Sequence, residues 1–155
     1  MIITKAKLTD LEQILELQYL AYQSEAVLYN DFSIQPLKQT LGEIRQEYEK
    51  CIFLKATDEM GNIIGSVRAY TNGDTTYVGK LIVHPSRQGQ GIGTKLMLAI
   101  ERESRAERYE LFTGYKSTRN LRLYEYLGYT KFREQTVADG LAFIYMEKYL
   151  DNHEM

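Results

Sequence analysis

The period of apolar positions changes twice along the chain. Residues 2–7 alternate weakly, as a short strand does, and Leu11, Ile14, Leu15 and Gln18 then recur on one helical face. Thr9-Asp10-Leu11-Glu12 has the form of a capping box, so a first helix is predicted to begin there and to fade between Tyr22 and Val27. Residues 24–35 hold Asn30, Asp31 and Ser33 without a sustained period and read as a mobile loop. Pro36 fits the first turn of a second helix, in which Leu37, Leu41, Ile44 and Tyr48 recur up to Lys50. The pattern then turns to strands. Residues 51–57, 63–70 and 75–83 are rich in β-branched and aromatic side chains, and turn signals at 58–62 and 71–74 separate them, which predicts an antiparallel meander.

Beyond Pro85 a glycine-rich turn leads into a helix over about 91–107, followed by a strand at 109–113. Strand, helix, strand implies a parallel crossover. A short helix near 119–127 ends at Gly128, and strands at about 130–137 and 141–149, joined by Ala138-Asp139-Gly140, close the chain. The expected fold class is α/β: a mixed central sheet of about seven strands with helices on both faces, in one domain over 1–150, with a loose tail at 151–155.

Composition narrows the classes. A formal net charge of −2 gives no field to gather a polyanion, so nucleic acid is not the expected partner. No run of eighteen apolar residues is present and the first residues carry no apolar leader, so the expectation is a cytoplasmic protein with no membrane association. Cys51 is the sole cysteine, which rules out an internal disulfide and a thiolate cluster; neither His84 nor His153 has a metal-ligand partner nearby in sequence, and no metal is expected.

The most informative stretch is Leu81-Ile82-Val83-His84-Pro85-Ser86-Arg87-Gln88-Gly89-Gln90-Gly91-Ile92-Gly93-Thr94. An apolar strand enters a turn with three alternate glycines, and a helix starts at once. Glycines let backbone N–H groups converge on an anion, and the first helical turn adds unpaired donors and the positive end of its dipole. The dinucleotide fingerprint fails, because Thr94 or Leu96 stands where its last glycine is needed, and the spacing from Gly73 to Gly79-Lys80 fails the P-loop. These failures count against a nucleotide-binding protein of another kind. Gln88-Gly89-Gln90-Gly91-Ile92-Gly93 instead resembles the Q/R-x-x-G-x-G/A signature of the GNAT superfamily of N-acetyltransferases, and the order of elements resembles that family over nearly the whole chain.

The resemblance implies acetyl-CoA as cosubstrate. The main-chain amides of Gln88, Gly89, Gln90, Gly91, Ile92, Gly93 and Thr94 would take its pyrophosphate, and those of Ile82 and Val83, at a distorted strand end, its acetyl oxygen and pantetheine arm. Asn120-Leu121-Arg122-Leu123-Tyr124-Glu125-Tyr126-Leu127-Gly128-Tyr129 is similar to a second family segment. Asn120 and Tyr124, four apart, share a helix face; in the family the tyrosine lies near the sulfur of coenzyme A, so Tyr124 is expected as general acid and Asn120 as a cofactor ligand.

An amine acceptor needs a base, yet residues 75–83 hold no carboxylate. Glu25 and Asp31, in the region where the family lines its acceptor groove, are candidates, and Tyr19, Tyr22, Tyr29 and Phe32 crowd the same region. The expected activity is direct transfer of acetyl to a primary amine on a small molecule or peptide, without an acyl-Cys51 intermediate. The missing strand carboxylate leaves an alternative open, a non-catalytic acetyl-CoA sensor or scaffold. Phe143, Tyr145 and Tyr149 on the closing strands offer a face for a homodimer.

Overall fold

A computed structural model describes residues 1–150. The expected tail at 151–155, with His153, lies outside the described residues. Seven strands form one sheet in the order β1-β2-β3-β4-β5-β7-β6. The strands are β1 (Ile2–Lys5), β2 (Ile52–Thr57), β3 (Ile63–Asn72), β4 (Thr75–Val83), β5 (Arg108–Gly114), β6 (Thr130–Ala138) and β7 (Leu141–Tyr149). All neighbours pair antiparallel except β4 with β5, whose parallel crossover runs through α5 (Ile92–Glu103).

Each sheet face carries its own core. On one, α1 (Leu11–Ala21) and α4 (Leu41–Lys50) bury Leu11, Ile14, Leu15, Leu17 and Ile44 against Phe53 and Ile82. On the other, α5 sets Ile92, Leu96, Met97 and Ile100 against Leu54, Val67, Val78, Tyr109 and Leu111, and α6 (Thr118–Tyr126) adds Tyr124. Full burial of each such side chain stabilises by about 1.5–3 kcal/mol, so the two stripes fix which helix lies on which face.

The helices before β2 depart from expectation. The reciprocal contact that opens the first helix joins the Lys7 N–H to the Asp10 carboxylate at 2.7 Å through a 3-10 turn at Leu8–Asp10, instead of starting at Thr9. Residues 24–29, expected as the start of a loop, lie in α2 (Gln23–Tyr29), closed by Asn30 in the left-handed region at φ 50. The expected helix over 36–50 is two. A single turn, α3 (Gln35–Lys38), stops at Gln39, and Thr40 restarts the chain with a capping box: the Glu43 N–H donates to Thr40 Oγ1 at 3.2 Å and the Thr40 N–H to Glu43 Oε1 at 2.9 Å. The turn of direction lets Gln39 go inside, 3% exposed, beneath β3.

Candidate active site

The sheet opens between its two parallel strands. β4 pairs with β5 only through Thr75–Arg108, Thr76–Tyr109 and Tyr77–Glu110, whereas β5 continues beside β7 as far as Gly114 opposite Phe143. The separation follows a bulge. On β3, Arg68 opposes Gly79 and Ser66 opposes Ile82, so β4 advances three residues while β3 advances two. Lys80, inside that step, has φ 46, a conformation disfavoured for a residue with a Cβ.

The bulge also sets which amides face the opening. The His84 N–H donates to the Ile64 carbonyl at 2.8 Å, so by strand alternation Ile82 directs its N–H to β3, while Leu81 and Val83 direct theirs away from it. Of the expected pair, Val83 thus turns its amide to the opening and Ile82 turns its amide to β3, while that of Leu81 faces the opening. Ile82 serves the core with its side chain, 3% exposed.

From β4 the chain makes a 3-10 turn, Pro85–Arg87, in which His84 Nδ1 accepts from the Ser86 N–H at 3.1 Å. Gly89 and Gly91 then take φ 79 and 80, and a Cβ on either would point into open space. Gly91 is the N-cap of α5 and offers no side-chain acceptor to the first turn. The donors of Ile92, Gly93 and Thr94 therefore lack a capping partner, at the positive end of a twelve-residue helix. Arg119 donates to Gln88 Oε1 and brings a guanidinium to the rim of this turn.

A cavity of about 1010 Å³ occupies the opening on the side of α2 and α4. Leu81, Asn120 and Tyr124 line it; residues 88–94 do not. Asn120 Nδ2 donates to Thr113 Oγ1 at 3.4 Å, and Tyr124 is buried with no hydrogen bond to its hydroxyl among the described residues. Burial, reinforced by the nearby Tyr22 and Glu25, raises the Tyr124 phenol above its ordinary value, so it stays protonated.

The helix α2 supplies the opposite wall. Ser117 Oγ donates to Glu25 Oε2 at 2.5 Å, Tyr29 shares a hydrogen bond with Ser117 Oγ at 3.2 Å, and the Lys116 N–H donates to the Tyr29 hydroxyl at 2.8 Å. Gly114 makes this docking possible, since a Cβ there would fall 2.0 Å from the Tyr29 hydroxyl. Glu25 and Asp31 both line the cavity, but Asp31 is exposed and accepts from its own turn, the Ser33 N–H at 2.8 Å.

The arrangement has counterparts. Residues 16–150 match the family model described as acetyltransferase (GNAT) domain. The chain belongs to the GNAT family. Among curated proteins it is 27% identical over 130 residues to UPF0157 protein YqkA of Bacillus subtilis, covering 83% of this chain and 37% of that protein, so it spans about a third of that relative's length. The fold matches smu.2055 from Streptococcus mutans with a TM-score of 0.82 at 19% identity, covering 97% of this chain and all of that one. It matches yncA from Salmonella typhimurium, solved with its cofactor acetyl-CoA, with a TM-score of 0.72 at 23% identity over 99% and 95% of the two chains. The paia N-acetyltransferase from Thermoplasma acidophilum, in complex with coenzyme A, gives 0.71 at 18% identity over 96% and 98%.

Within the GNAT fold, Tyr124 and Asn120 share the cavity with Leu81 and Glu25, and the exposed glycine turn stands apart at the start of α5. Leu81 and Arg119 were not singled out by sequence. The strand pattern records which side a side chain takes but not where a bulge shifts the phase, and Arg119 reads as one more surface cation.

Proposed function

We propose that the protein transfers an acetyl group from acetyl-CoA to a primary amine by direct attack. The supporting observation is the β4–β5 opening, where a cavity holds Tyr124 and Glu25 and an exposed glycine turn follows the end of β4. The turn fits a diphosphate: its glycines leave room for a ligand where a Cβ would stand, and the first turn of α5 has donors without a cap. Gln88, Gly89, Gln90, Gly91, Ile92, Gly93 and Thr94 hold it through the main chain, with Arg119 adding charge. The N–H groups of Val83 and Leu81 hold the pantetheine arm and the acetyl oxygen, the second acting as an oxyanion donor. Asn120 orients the arm from α6.

Glu25 takes the role that no residue of β4 fills. Its carboxylate, fixed by Ser117, accepts the proton of the incoming ammonium, whose reference pKa near 10.4 would otherwise keep it unreactive. The amine nitrogen bonds to the thioester carbonyl carbon, the carbon–sulfur bond breaks, Tyr124 donates its proton to the departing thiolate, and the proton that the new amide nitrogen sheds returns through solvent to the tyrosinate. Cys51 takes no part; burial and the nearby Glu47 carboxylate raise its thiol above the usual range, the opposite of a nucleophile's need. Thiol release from acetyl-CoA that depends on added amine tests the proposal. Tight coenzyme A binding without release across a broad amine panel would instead favour a sensor or scaffold.

A further inference from the structure

Lys80 carries an unexplained cost. At φ 46 a glycine would sit without strain, yet a lysine is kept there, its side chain 20% exposed and lining the cavity one residue before Leu81. Its charge is poorly met. The nearest carboxylate is Glu47, at 4.0 Å, and Glu47 already accepts from Arg68 Nη1 at 3.3 and 3.4 Å and from Gln39 Nε2. Arg68 is 3% exposed, lies over the Phe53 ring at 4.5 Å, donates to Gln18 Oε1 at 2.7 Å, and leaves its buried Nε without a partner. Two cations thus share one carboxylate in a desolvated wall, and the excess is positive.

Among the described residues no other acid of the cavity lies within ion-pair distance of Lys80. Glu110 is bridged by Arg108 at 2.9 Å, Asp31 is held in its own turn by Ser33, and Glu25 is held by Ser117. Across from Lys80 the sheet presents an uncovered aromatic floor. Phe112, half exposed, packs against Phe143 at 4.8 Å and Tyr145 at 5.3 Å, and Tyr70 stacks on Tyr77 at 5.1 Å. The cavity therefore offers a carboxylate for an ammonium, a cation for an anion, and an apolar surface.

We infer that the acceptor is an α-amino acid with an aromatic or large apolar side chain: its amino group faces Glu25, its carboxylate pairs with Lys80 beside the Arg68–Glu47 pair, and its side chain lies on the Phe112 floor. This rests on the acetyl-transfer reading and adds the class of substrate. Lys80 is then a specificity residue, one position before the amide of Leu81 and with its ammonium 4.0 Å from Glu47.

Matched acceptors isolate the carboxylate. L-phenylalanine, L-phenylalanine amide and phenethylamine share the ring and a primary amine and differ in the group on the α-carbon, so kcat/KM is compared per unprotonated amine; L-methionine and 3-(methylthio)propylamine form a second pair. Acetyl-CoA thiol release should give a kcat/KM for each amino acid at least tenfold above that for its uncharged or decarboxylated counterpart. In Lys80→Gly, which suits φ 46 and should keep the melting temperature, that ratio should fall to about one, and Lys80→Met should lose it too. Equal kcat/KM across each set, or a ratio that survives both substitutions, would overturn the inference while leaving acetyl transfer intact. If no amine released thiol, calorimetry on the coenzyme A-loaded protein decides separately: phenylalanine binding abolished by Lys80→Gly would sustain the Lys80 site and sink the transfer reading, and no binding of either amino acid would end the inference.

Discussion

The two sides of the β4–β5 opening are built from different materials. On the side proposed for the diphosphate, residues 88–94 are contiguous, mostly exposed, and present backbone: glycines at positive φ and an uncapped helix start. On the side proposed for the acceptor the groups are side chains from separate elements, Glu25 on α2, Glu47 on α4, Lys80 on β4, Phe112 on β5 and Tyr124 on α6, with Glu25 tied to Ser117 by a hydrogen bond and Glu47 to Arg68 and Lys80 by ion pairs. A site made of main chain tolerates changes of side-chain identity and fails when φ is denied; a site made of side chains behaves the other way. Substitutions on the two sides should therefore separate cofactor affinity from turnover.

The sharpest break is Gly91→Val. A β-branched residue at φ 80 forces the turn out of shape and withdraws the amides from the phosphates. Loss of two hydrogen bonds to a charged group, at about 1.5 kcal/mol each, weakens acetyl-CoA binding by about a hundredfold, as calorimetric titration would read. Native affinity in that variant would mean that the turn is not the phosphate site. Tyr124→Phe probes the other side: kcat should fall by about a hundredfold while the acetyl-CoA dissociation constant holds, because the lost proton matters only as the sulfur leaves. A parallel loss of acetyl-CoA affinity would make the tyrosine a packing residue and erase the contrast.

The same contrast governs what could be read from residues alone. A main-chain site leaves a local spelling, and Gln88 to Gly93, with helix α5 following, was legible from spacing. The strands were legible as well, since alternation and turn residues mark their bounds to within about two residues. The acceptor wall was not. Helix α2 has only seven residues, too few to hold by propensity, and exists because Glu25 and Tyr29 dock on Ser117 and Lys116, 87 to 92 positions away. The signal that splits α3 from α4 was present, Thr40 followed three residues later by Glu43, but the apolar period runs through it and hides the break. The bulge at Lys80 leaves no mark in the pattern, so which amides of β4 face the opening was not legible.

Gly114→Ala tests whether α2 is held as described. Its methyl would fall on the Tyr29 ring, so the variant should lose about 1–3 kcal/mol by overpacking in chemical denaturation and raise the acceptor KM. Adding Tyr29→Ala should relieve the clash and restore part of the stability without restoring the acceptor KM, because the tether to Lys116 is gone. Recovery of both would mean that α2 does not shape the acceptor site.

The smallest effect separates buried tyrosines inside the site from one outside it, and appears only in alkali. Burial pushes Tyr22 up to about 12, Glu25 adding to the rise and Arg68 opposing it; burial first, then neighbouring groups, raise Tyr124 and Tyr129 as well. Each favours the protonated form when folded, so its contribution to stability is full below pH 10, where the unfolded phenol is still protonated, and is lost as the pH climbs through the raised values. Tyr129 lies outside the opening, donating to Glu101 Oε2 at 2.7 Å beside Lys148. Tyr129→Phe should be less stable than the native protein at pH 7 by about 1 kcal/mol, for the lost hydrogen bond, yet decline less steeply from pH 10 to 12, so the two melting curves converge. Acetyl-CoA, bound next to Tyr124 and away from Tyr129, should shift the alkaline decline of both proteins upward by the same amount and leave the difference between them unchanged; a difference that vanishes with ligand would place Tyr129 in the site.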